Sequence, residues 1–358
     1  MGAKDSKVVE YSQDGLKRFE QNFQFLKTEK DPRFGAINIY QERSSGKFIA
    51  VQNSFSEDAQ HLDSLKQELD FRSNMNHKSL AKIVGYSASA NQNMCGSTNA
   101  LNIYSEWFEH DLELEILERI PKSDYFTEAE LWYMANSSID VGAYFQQNGI
   151  YHGDLRPQNM MMDDEGNLLI DDHGMLNEYK DNYNKALSGN KGVYLSPSLL
   201  EHLKHKTASP SYDVHKADVF SLGVSLLFAA NLKNPETIYD MNNKVINRPE
   251  LEGQLQSAGT RYSPRFVELL RTMLDFDDRS RPDFNQLSAL SNQQQPQSQP
   301  QQPLVQSTYG VNPMMGSQVR NFGYAQNQLP GSLAQSGLNQ GFQQYGQNNL
   351  VNSVAGQY

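Results

Sequence analysis

Cysteine is nearly absent from the 358-residue sequence, which contains Cys95 alone. A single cysteine excludes an intramolecular disulfide and is typical of a reducing compartment, so we expect a cytoplasmic protein. A surplus of basic residues is also absent, since the formal net charge is −11. Because nucleic-acid phosphates select basic surfaces, we expect no nucleic-acid partner. No run of 18 apolar residues occurs, so no transmembrane helix is predicted.

Charged residues also disappear towards the end of the sequence. Residues 291–358 contain no Asp, Glu or Lys and one arginine, Arg320, and they are rich in Gln, Asn, Gly, Ser and Pro. Such a low-complexity composition cannot bury enough apolar surface to offset the entropy of an ordered chain. We therefore predict a disordered tail that self-associates, with a passive tail as the alternative.

Residues 1–19 form an N-terminal segment without the apolar stretch of a secretory signal. They begin with the letters MGAKDS, which match the M-G-x-x-x-[ST] pattern for N-myristoylation at Gly2. One myristoyl chain binds membranes with K on the order of 10⁴ M⁻¹, so the pattern predicts a reversible membrane contact through Gly2. The alternative is an ordinary start, because so short a pattern arises easily by chance.

The most informative stretch is residues 151–174, which read YHGDLRPQNMMMDDEGNLLIDDHG. Two short apolar runs flank the turn-forming letters DDEGN, and this pattern predicts a hairpin. The hairpin would return Asp172 to the neighbourhood of Asp154 and Asn159. Carboxylate and amide oxygens are the ligands that Mg²⁺ prefers, and a further carboxylate beside them can accept a hydroxyl proton. The stretch therefore predicts a site for Mg²⁺ on the phosphates of a nucleotide.

The same stretch resembles the catalytic segment of eukaryotic protein kinases, H-R-D-L-x-x-x-N followed by D-F-G. Here the letters are HGDL at 152–155, Asn159, and DHG at 172–174. The resemblance extends over about residues 20–288. It implies an α+β, two-lobed protein kinase fold for residues 20–290, with a small β-rich N-lobe at about 20–105 and a larger helical C-lobe at about 109–290.

The resemblance implies ATP and Mg²⁺ as cofactors and assigns roles to individual residues. Asp154 would accept the substrate hydroxyl proton, and Arg156 would touch the γ-phosphate. Asn159 and Asp172 would hold the metal. The nucleotide would lie among a second set, with Ile37, Ala50 and Met161 at the adenine, Glu106 and Phe108 at the hinge, and Gln52 with Glu68 at the phosphates.

Several positions depart from the family pattern around the phosphates. Gln52 stands where the family has a lysine, and an amide supplies no positive charge to the phosphates. Lys30 and Pro32 occupy the places of two loop glycines, and a proline has no N–H to offer. Lys191 and His173 replace a threonine and a phenylalanine of the family. These departures predict weakened phosphate binding and slower phosphate transfer. The loss of one charged donor typically lowers the rate by a factor on the order of 10²–10³.

Two features of the C-lobe stretch concern its internal contacts. Thr127 and Glu130 form a capping-box pattern, which predicts the start of a helix. Ser198 replaces the family glutamate that pairs with the residue corresponding to Arg281, and Glu201 is the candidate replacement partner.

Three functions remain open. The first is a pseudokinase that binds Mg-ATP, has weak or lost phosphotransfer, and acts on a partner protein as a regulator or scaffold. The second is an active kinase acting on a protein substrate, for which the letters RPQ at 156–158 favour Ser/Thr specificity. The third is a small-molecule kinase, which the letters HGD and IDD resemble, while the DVFSLGV run at 218–224 does not. The number of departures favours the first.

Overall fold

The structure is a computed structural model that describes residues 9–10, 13–31, 35–56, 59–93, 96–171, 182–189 and 192–294. The first four residues of the predicted tail, 291–294, belong to a helix. The predictions for the rest of the tail, for Gly2, for Pro32, for residues 172–174 and for Lys191 fall outside this part of the chain. Within it, a strand-rich first part is followed by a helix-rich second part. These are the two lobes that the sequence predicts.

The N-lobe is built on a six-stranded sheet. Its elements are β1 (Val9–Glu10), α1 (Gln13–Asn22), β2 (Phe23–Asp31), β3 (Gly35–Glu42), β4 (Phe48–Ser56), α2 (Ala59–Ser73), β5 (Ile83–Asn93) and β6 (Gly96–Trp107). The strand order is β1-β5-β6-β4-β3-β2. All pairings are antiparallel except that of β1 with β5. The chain turns tightly between β3 and β4 because Gly46 adopts a left-handed conformation, with φ of 76°.

A helix covers each face of this sheet. Side chains alternate along a strand, so Ile49 and Val51 of β4 point to the face of the sheet opposite to that of Ala50. On that face they pack against Phe19 of α1. Leu65 and the other apolar residues of α2 pack against strands β5 and β6. Leu16 and Phe19, which fall in the predicted N-terminal segment 1–19, therefore contribute to the apolar core of the N-lobe.

The C-lobe is predominantly helical. Its elements are β7 (His110–Asp111), α3 (Leu112–Arg119), α4 (Glu128–Gln147), β8 (Met160–Met162), β9 (Leu168–Ile170), α5 (Asn182–Leu187), α6 (Pro197–Lys204), α7 (Val214–Asn231), β10 (Tyr239–Asp240), β11 (Val245–Ile246), α8 (Arg248–Gly259), α9 (Pro264–Met273) and α10 (Phe284–Gln294). Helix α7 is buried from Ala217 to Asn231 and forms the centre of the lobe. Across the described residues, we find no helix with both the length and the apolar content that crossing a bilayer requires.

Helix α4 begins and packs as its residues dictate. The predicted capping box is confirmed, because the Thr127 hydroxyl accepts from the Glu130 N–H at 3.2 Å and the Glu130 carboxylate accepts from the Thr127 N–H at 2.6 Å. Further along, α10 lies against the backbone of α4 at Gly142. A Cβ atom there would lie 2.4 Å from the ring of Phe284, so only glycine permits this close approach.

The predicted hairpin is formed by β8 and β9, and β7 completes a three-stranded sheet. Its turn is held by the Asp163 carboxylate, which accepts hydrogen bonds from the N–H groups of Glu165 at 3.0 Å and Asn167 at 2.7 Å. Met160 pairs with Ile170 at the open end. The hairpin therefore places the residues before Met160 next to those after Ile170.

Candidate active site

The loop between α4 and β8 carries Asp154 and is fixed from two sides. The carboxylate of Asp218, on α7, accepts hydrogen bonds from the backbone N–H groups of His152 at 2.8 Å and Gly153 at 2.9 Å. The imidazole of His152 donates through Nε2 to the carbonyl of Asp171 at 2.6 Å, and its Nδ1 accepts from the N–H of Asp154 at 3.1 Å. Both ring nitrogens are engaged, so these partners fix the orientation of the ring.

Asn159 joins this loop to the hairpin. Its side-chain amide donates to the carbonyl of Asp154 at 2.6 Å, and its own carbonyl accepts from the N–H of Asp171 at 2.9 Å. Both Asn159 and Asp154 are buried. Asp171 immediately precedes the predicted metal ligand Asp172, so the chain returns to Asn159 as the hairpin pattern indicates. Asp172 itself lies outside the described residues, and its metal-binding role stays a prediction.

Two cationic side chains contact the carboxylate of Asp154, which is 1% exposed. Nζ of Lys185, from α5, lies 2.8 Å from Oδ2, and Nε of Arg156 lies 3.1 Å from Oδ1. Their charges compensate a carboxylate that would be costly to bury alone. The sequence motif identifies Arg156. It gives no indication of Lys185, because that contact joins two separate parts of the chain and follows no local pattern.

A second carboxyl group near the loop, Glu113, was not predicted. Burial and the neighbouring charge of Asp111 raise the pKa of Glu113 to about 7, while Arg156 acts in the opposite direction. Nε2 of Gln158 donates a hydrogen bond to this carboxyl group at 2.5 Å. An acidic residue in the first turn of a helix is ordinarily explained by the helix dipole, so nothing in the sequence singles out Glu113. A carboxyl group with a displaced pKa beside a catalytic loop is a candidate functional group.

The predicted adenine residues come from both lobes. Strand pairing puts Ile37 opposite Gln52, and Ala50 faces the same side of the sheet because it lies two residues before Gln52. Ile37 and Ala50 are buried in one apolar cluster. Met161 is buried in β8, opposite Leu169. The structure places each of these side chains within an apolar surface, and their contact with adenine stays a prediction.

The predicted hinge residues lie where the sheet ends and the chain passes to the C-lobe. Glu106 is the penultimate residue of β6, and Phe108 is half-buried just beyond that strand. The N–H of Glu106 donates to the carbonyl of Lys82 at 2.9 Å, and its carboxylate accepts from the N–H of Lys82 at 3.0 Å. These two bonds fix the backbone at the start of the crossover.

Gln52 and Glu68, the predicted residues at the phosphates, have different surroundings. Gln52 is 1% exposed, and its Oε1 has no hydrogen-bond partner among the residues that the structure describes. Glu68, on α2, accepts a hydrogen bond from Arg72 at 3.1 Å, one turn further along the same helix. The carboxylate is therefore engaged by an arginine of its own helix, and the amide oxygen of Gln52 is buried without a hydrogen bond from any described residue.

One predicted contact is wrong. Arg281 does not use Glu201, which instead accepts a hydrogen bond from His205 at 2.9 Å. Arg281 lies 2.8 Å from Asp278 and donates to the carbonyl of Asp275, also at 2.8 Å. The backbone carbonyl of Lys216, on α7, accepts a further hydrogen bond from the guanidinium at 3.1 Å, so Arg281 is satisfied without Glu201.

Comparison with known proteins agrees with these features. A family model described as "Protein kinase domain" matches residues 33–291. This chain belongs to the protein kinase family. The predicted family and fold are thereby confirmed, and the family implies the use of ATP and Mg²⁺ in general.

Several curated relatives of this protein kinase domain are MAP kinase kinases. It is 29% identical over 148 residues to dual specificity mitogen-activated protein kinase kinase 7 of Homo sapiens, covering 40% of this chain and 33% of that protein. It is 30% identical over 184 residues to dual specificity mitogen-activated protein kinase kinase jkk-1 of Caenorhabditis elegans, covering 48% and 40%. MAP kinase kinase mkk-4 of the same organism is 23% identical over 277 residues, covering 75% and 72%. The first two matches thus span less than half of each relative's own length.

Proposed function

We propose that this protein kinase domain binds Mg-ATP, transfers phosphate weakly or not at all, and acts as a regulator or scaffold of a partner protein. The observation that carries the proposal is the buried amide of Gln52. It occupies the place of a lysine whose charge would hold the phosphates during transfer. Glu68, which would pair with that lysine, is instead engaged by Arg72 of its own helix.

Retained features support nucleotide and metal binding. Asn159 is held at the open end of the hairpin by two backbone hydrogen bonds, next to Asp171 and hence to the predicted ligand Asp172. An amide oxygen and a carboxylate are suitable ligands for Mg²⁺, which would neutralise phosphate charge when bound. The buried oxygen of Gln52 is also compatible with a bound Mg-nucleotide. A buried acceptor without a partner among the described residues can accept a hydrogen bond from a water on the metal or from an N–H of a ligand.

An active Ser/Thr kinase is the second candidate function, and the surroundings of Asp154 favour it. Arg156 and Lys185 place two positive charges beside the residue that would accept the hydroxyl proton. Either could partly replace the missing lysine by stabilising charge on the transferred group. The likeness to MAP kinase kinases fits a protein substrate for this candidate. The match to the protein kinase domain over residues 33–291 speaks against a small-molecule kinase.

The test is thermal stability of the full chain with ATP, with and without Mg²⁺, followed by mass spectrometry for incorporated phosphate. We expect stabilisation that depends on Mg²⁺, with little incorporation. Asp172→Asn should abolish this stabilisation, whereas Asp164→Asn, an exposed acid in the turn of the hairpin, should leave it unchanged. Absence of stabilisation would refute nucleotide binding. Rapid incorporation that is lost in Asp154→Asn would establish the active kinase instead.

The proposals for the two ends of the chain rest on sequence patterns alone. We propose N-myristoylation at Gly2 as a reversible membrane contact of a cytoplasmic protein, and self-association of residues 291–358. Gly2→Ala should move the protein from the membrane fraction to the soluble fraction, and unchanged fractionation would refute the anchor. Deletion of residues 295–358 should lower the average mass in light scattering if the tail self-associates.

A further inference from the structure

The sequence contains three Ser-Pro pairs, which begin at Ser196, Ser209 and Ser263, and no Thr-Pro pair. Two of the three have a structural explanation. Ser196 is the N-cap of α6 and Ser263 is the N-cap of α9, and in each helix the proline lies in the first turn, where no N–H is needed. The hydroxyl of Ser196 accepts from the N–H of Leu199, and that of Ser263 donates to the carboxylate of Glu128. These two serines therefore serve the starts of helices.

Ser209 has no such role. The next helix, α7, begins at Val214 and is capped by the carboxylate of Asp213, so the helix start lies beyond the Ser-Pro pair. Ser209 is exposed, and neither its backbone nor its hydroxyl makes a hydrogen bond to any residue that the structure describes. The hydroxyl is therefore accessible to an enzyme, and helix capping does not account for the proline that follows it.

The loop that carries Ser209 bends over His202 of α6. At one end of the loop, the N–H of Thr207 donates to the carbonyl of His202 at 3.0 Å. At the other end, Nε2 of His202 donates to the carbonyl of Ser211 at 3.3 Å. Lys206, which is exposed, makes the turn into the loop with a left-handed φ of 51°. Ser209 is thus the middle residue of an arch whose two ends are bound to a histidine and which a lysine precedes.

Pro210 restricts the class of enzyme that can modify Ser209. A proline has no N–H, so an enzyme that requires a hydrogen bond from the residue after the acceptor rejects this sequence. Proline also biases the preceding residue towards an extended conformation, in which peptide segments commonly lie in a binding cleft. The pair is therefore suited to a protein kinase of the proline-directed class.

We propose that Ser209 is a phosphorylation site for a proline-directed protein kinase, and that His202 and Lys206 bind the resulting phosphate. The hydroxyl oxygen of Ser209 attacks the γ-phosphorus of ATP, the bond from that phosphorus to ADP breaks, and the hydroxyl proton passes to the base of the modifying enzyme. The product carries a charge of about −1.5 to −2 at pH 7 and three acceptor oxygens, which nearby cationic groups can bind. The chain is then a substrate of another kinase, whether or not its own domain transfers phosphate.

The test of the site is phosphorylation of the full chain by ATP and an active cyclin-dependent kinase or MAP kinase, with the modified residues located by mass spectrometry. A parallel reaction without added enzyme measures labelling by the chain itself. We expect one phosphate per chain at Ser209, which Ser209→Ala should abolish. Ser211→Ala is the matched control, because Ser211 is exposed in the same loop and precedes a tyrosine, and it should keep the label.

Three outcomes of this experiment would overturn the site. The first is that neither enzyme labels Ser209, and the second is that they label Ser196 or Ser263 in its place. The third concerns Pro210→Ala, which should lose most of the label with the same enzyme. Unchanged labelling of this variant would show that the modifying enzyme does not depend on the proline.

Binding of the phosphate is measured by hydrogen exchange at the N–H groups of Ala208 and Ser209, which make no hydrogen bond to a described residue. Exchange should slow on phosphorylation, and added salt or Lys206→Gln should reverse the slowing. Lys204→Gln is the control, because Lys204 is exposed on α6, and it should retain the slowing. Equal exchange with and without the phosphate would overturn the role of His202 and Lys206. Neither measurement uses nucleotide binding by this domain, so a missing Mg-ATP thermal shift would refute the proposed function and leave this site intact.

Discussion

Replacement of Gln52 by methionine should stabilise the ligand-free protein. The amide oxygen is buried and has no partner among the described residues. Leaving a buried acceptor unsatisfied costs about 1–3 kcal/mol. Methionine is unbranched, of similar length, and brings no group that needs a hydrogen bond. We therefore expect Gln52→Met to raise the free energy of unfolding by about 1–2 kcal/mol, with some of the gain lost to imperfect packing.

Gln52→Lys should have the opposite effect on the ligand-free protein. It places a charge where the native side chain is 1% exposed, and the nearest family partner, Glu68, is engaged by Arg72. An uncompensated buried charge typically costs about 3–5 kcal/mol. Glu68 can turn towards the new ammonium group, or the amine can release its proton, and either change reduces this cost. We therefore expect the free energy of unfolding to fall by roughly 2–4 kcal/mol. Mg-ATP should then stabilise this variant more than the wild type, because the phosphates offer the ammonium group a partner.

Urea unfolding of the full chain, followed by fluorescence with and without Mg-ATP, measures these changes. Gln256→Met is the control, because Gln256 is exposed on α8, and its effect should stay within about 0.5 kcal/mol. A Gln52→Met variant less stable than the wild type would refute the reasoning, since the amide oxygen must then make a stabilising contact. An equal response of Gln52→Lys and the wild type to Mg-ATP would show that position 52 does not face the phosphates.

Two further predictions concern Gly142 and Glu113. Gly142→Ala should destabilise by about 1–3 kcal/mol because its Cβ would lie 2.4 Å from the ring of Phe284. Gly253→Ala, where a Cβ meets no atom within 4 Å, should stabilise α8 by roughly 0.5–1 kcal/mol. Equal effects in urea unfolding would contradict the crowding at α4. Burial raises the pKa of Glu113 from an ordinary 4.5 to about 7, so its contribution to stability is present below about pH 4.5 and is lost as the pH rises through about 7. Glu113→Gln should therefore gain in melting temperature over the wild type as pH increases, and a difference that does not change with pH would refute this.

The centre of the site could be predicted from the sequence because its signals are local. The turn letters between two short apolar runs require a hairpin, and the hairpin fixes Asn159 relative to Asp171. Asp154 lies five residues before Asn159, so the same loop delivers it. The capping box at Thr127 is equally local, since its bonds span three residues.

The parts that the sequence did not reveal depend on contacts between distant segments. Lys185 reaches Asp154 across 31 residues, and nothing near it in the sequence distinguishes it from a solvated lysine. Glu113 owes its raised pKa to burial, which composition does not report. The choice of Asp278 over Glu201 by Arg281 follows from loop geometry. In each case, the interaction is decided by which surfaces the fold brings together.

The parallel pairing of β1 with β5 has a consequence for how the protein is synthesised. Val9 pairs with Gly85, so β1 waits for a partner that is synthesised 76 residues later. At about 5–20 residues per second, this delay amounts to roughly 4–15 seconds. During that interval the apolar cluster around Phe19 of α1 is incomplete, because Tyr104 of β6 joins Ile49 and Val51 of β4 only after residue 104 has been made. The N-lobe is therefore expected to need chaperone protection early in translation. Synonymous codons that slow translation before residue 85 should lower the yield of folded protein.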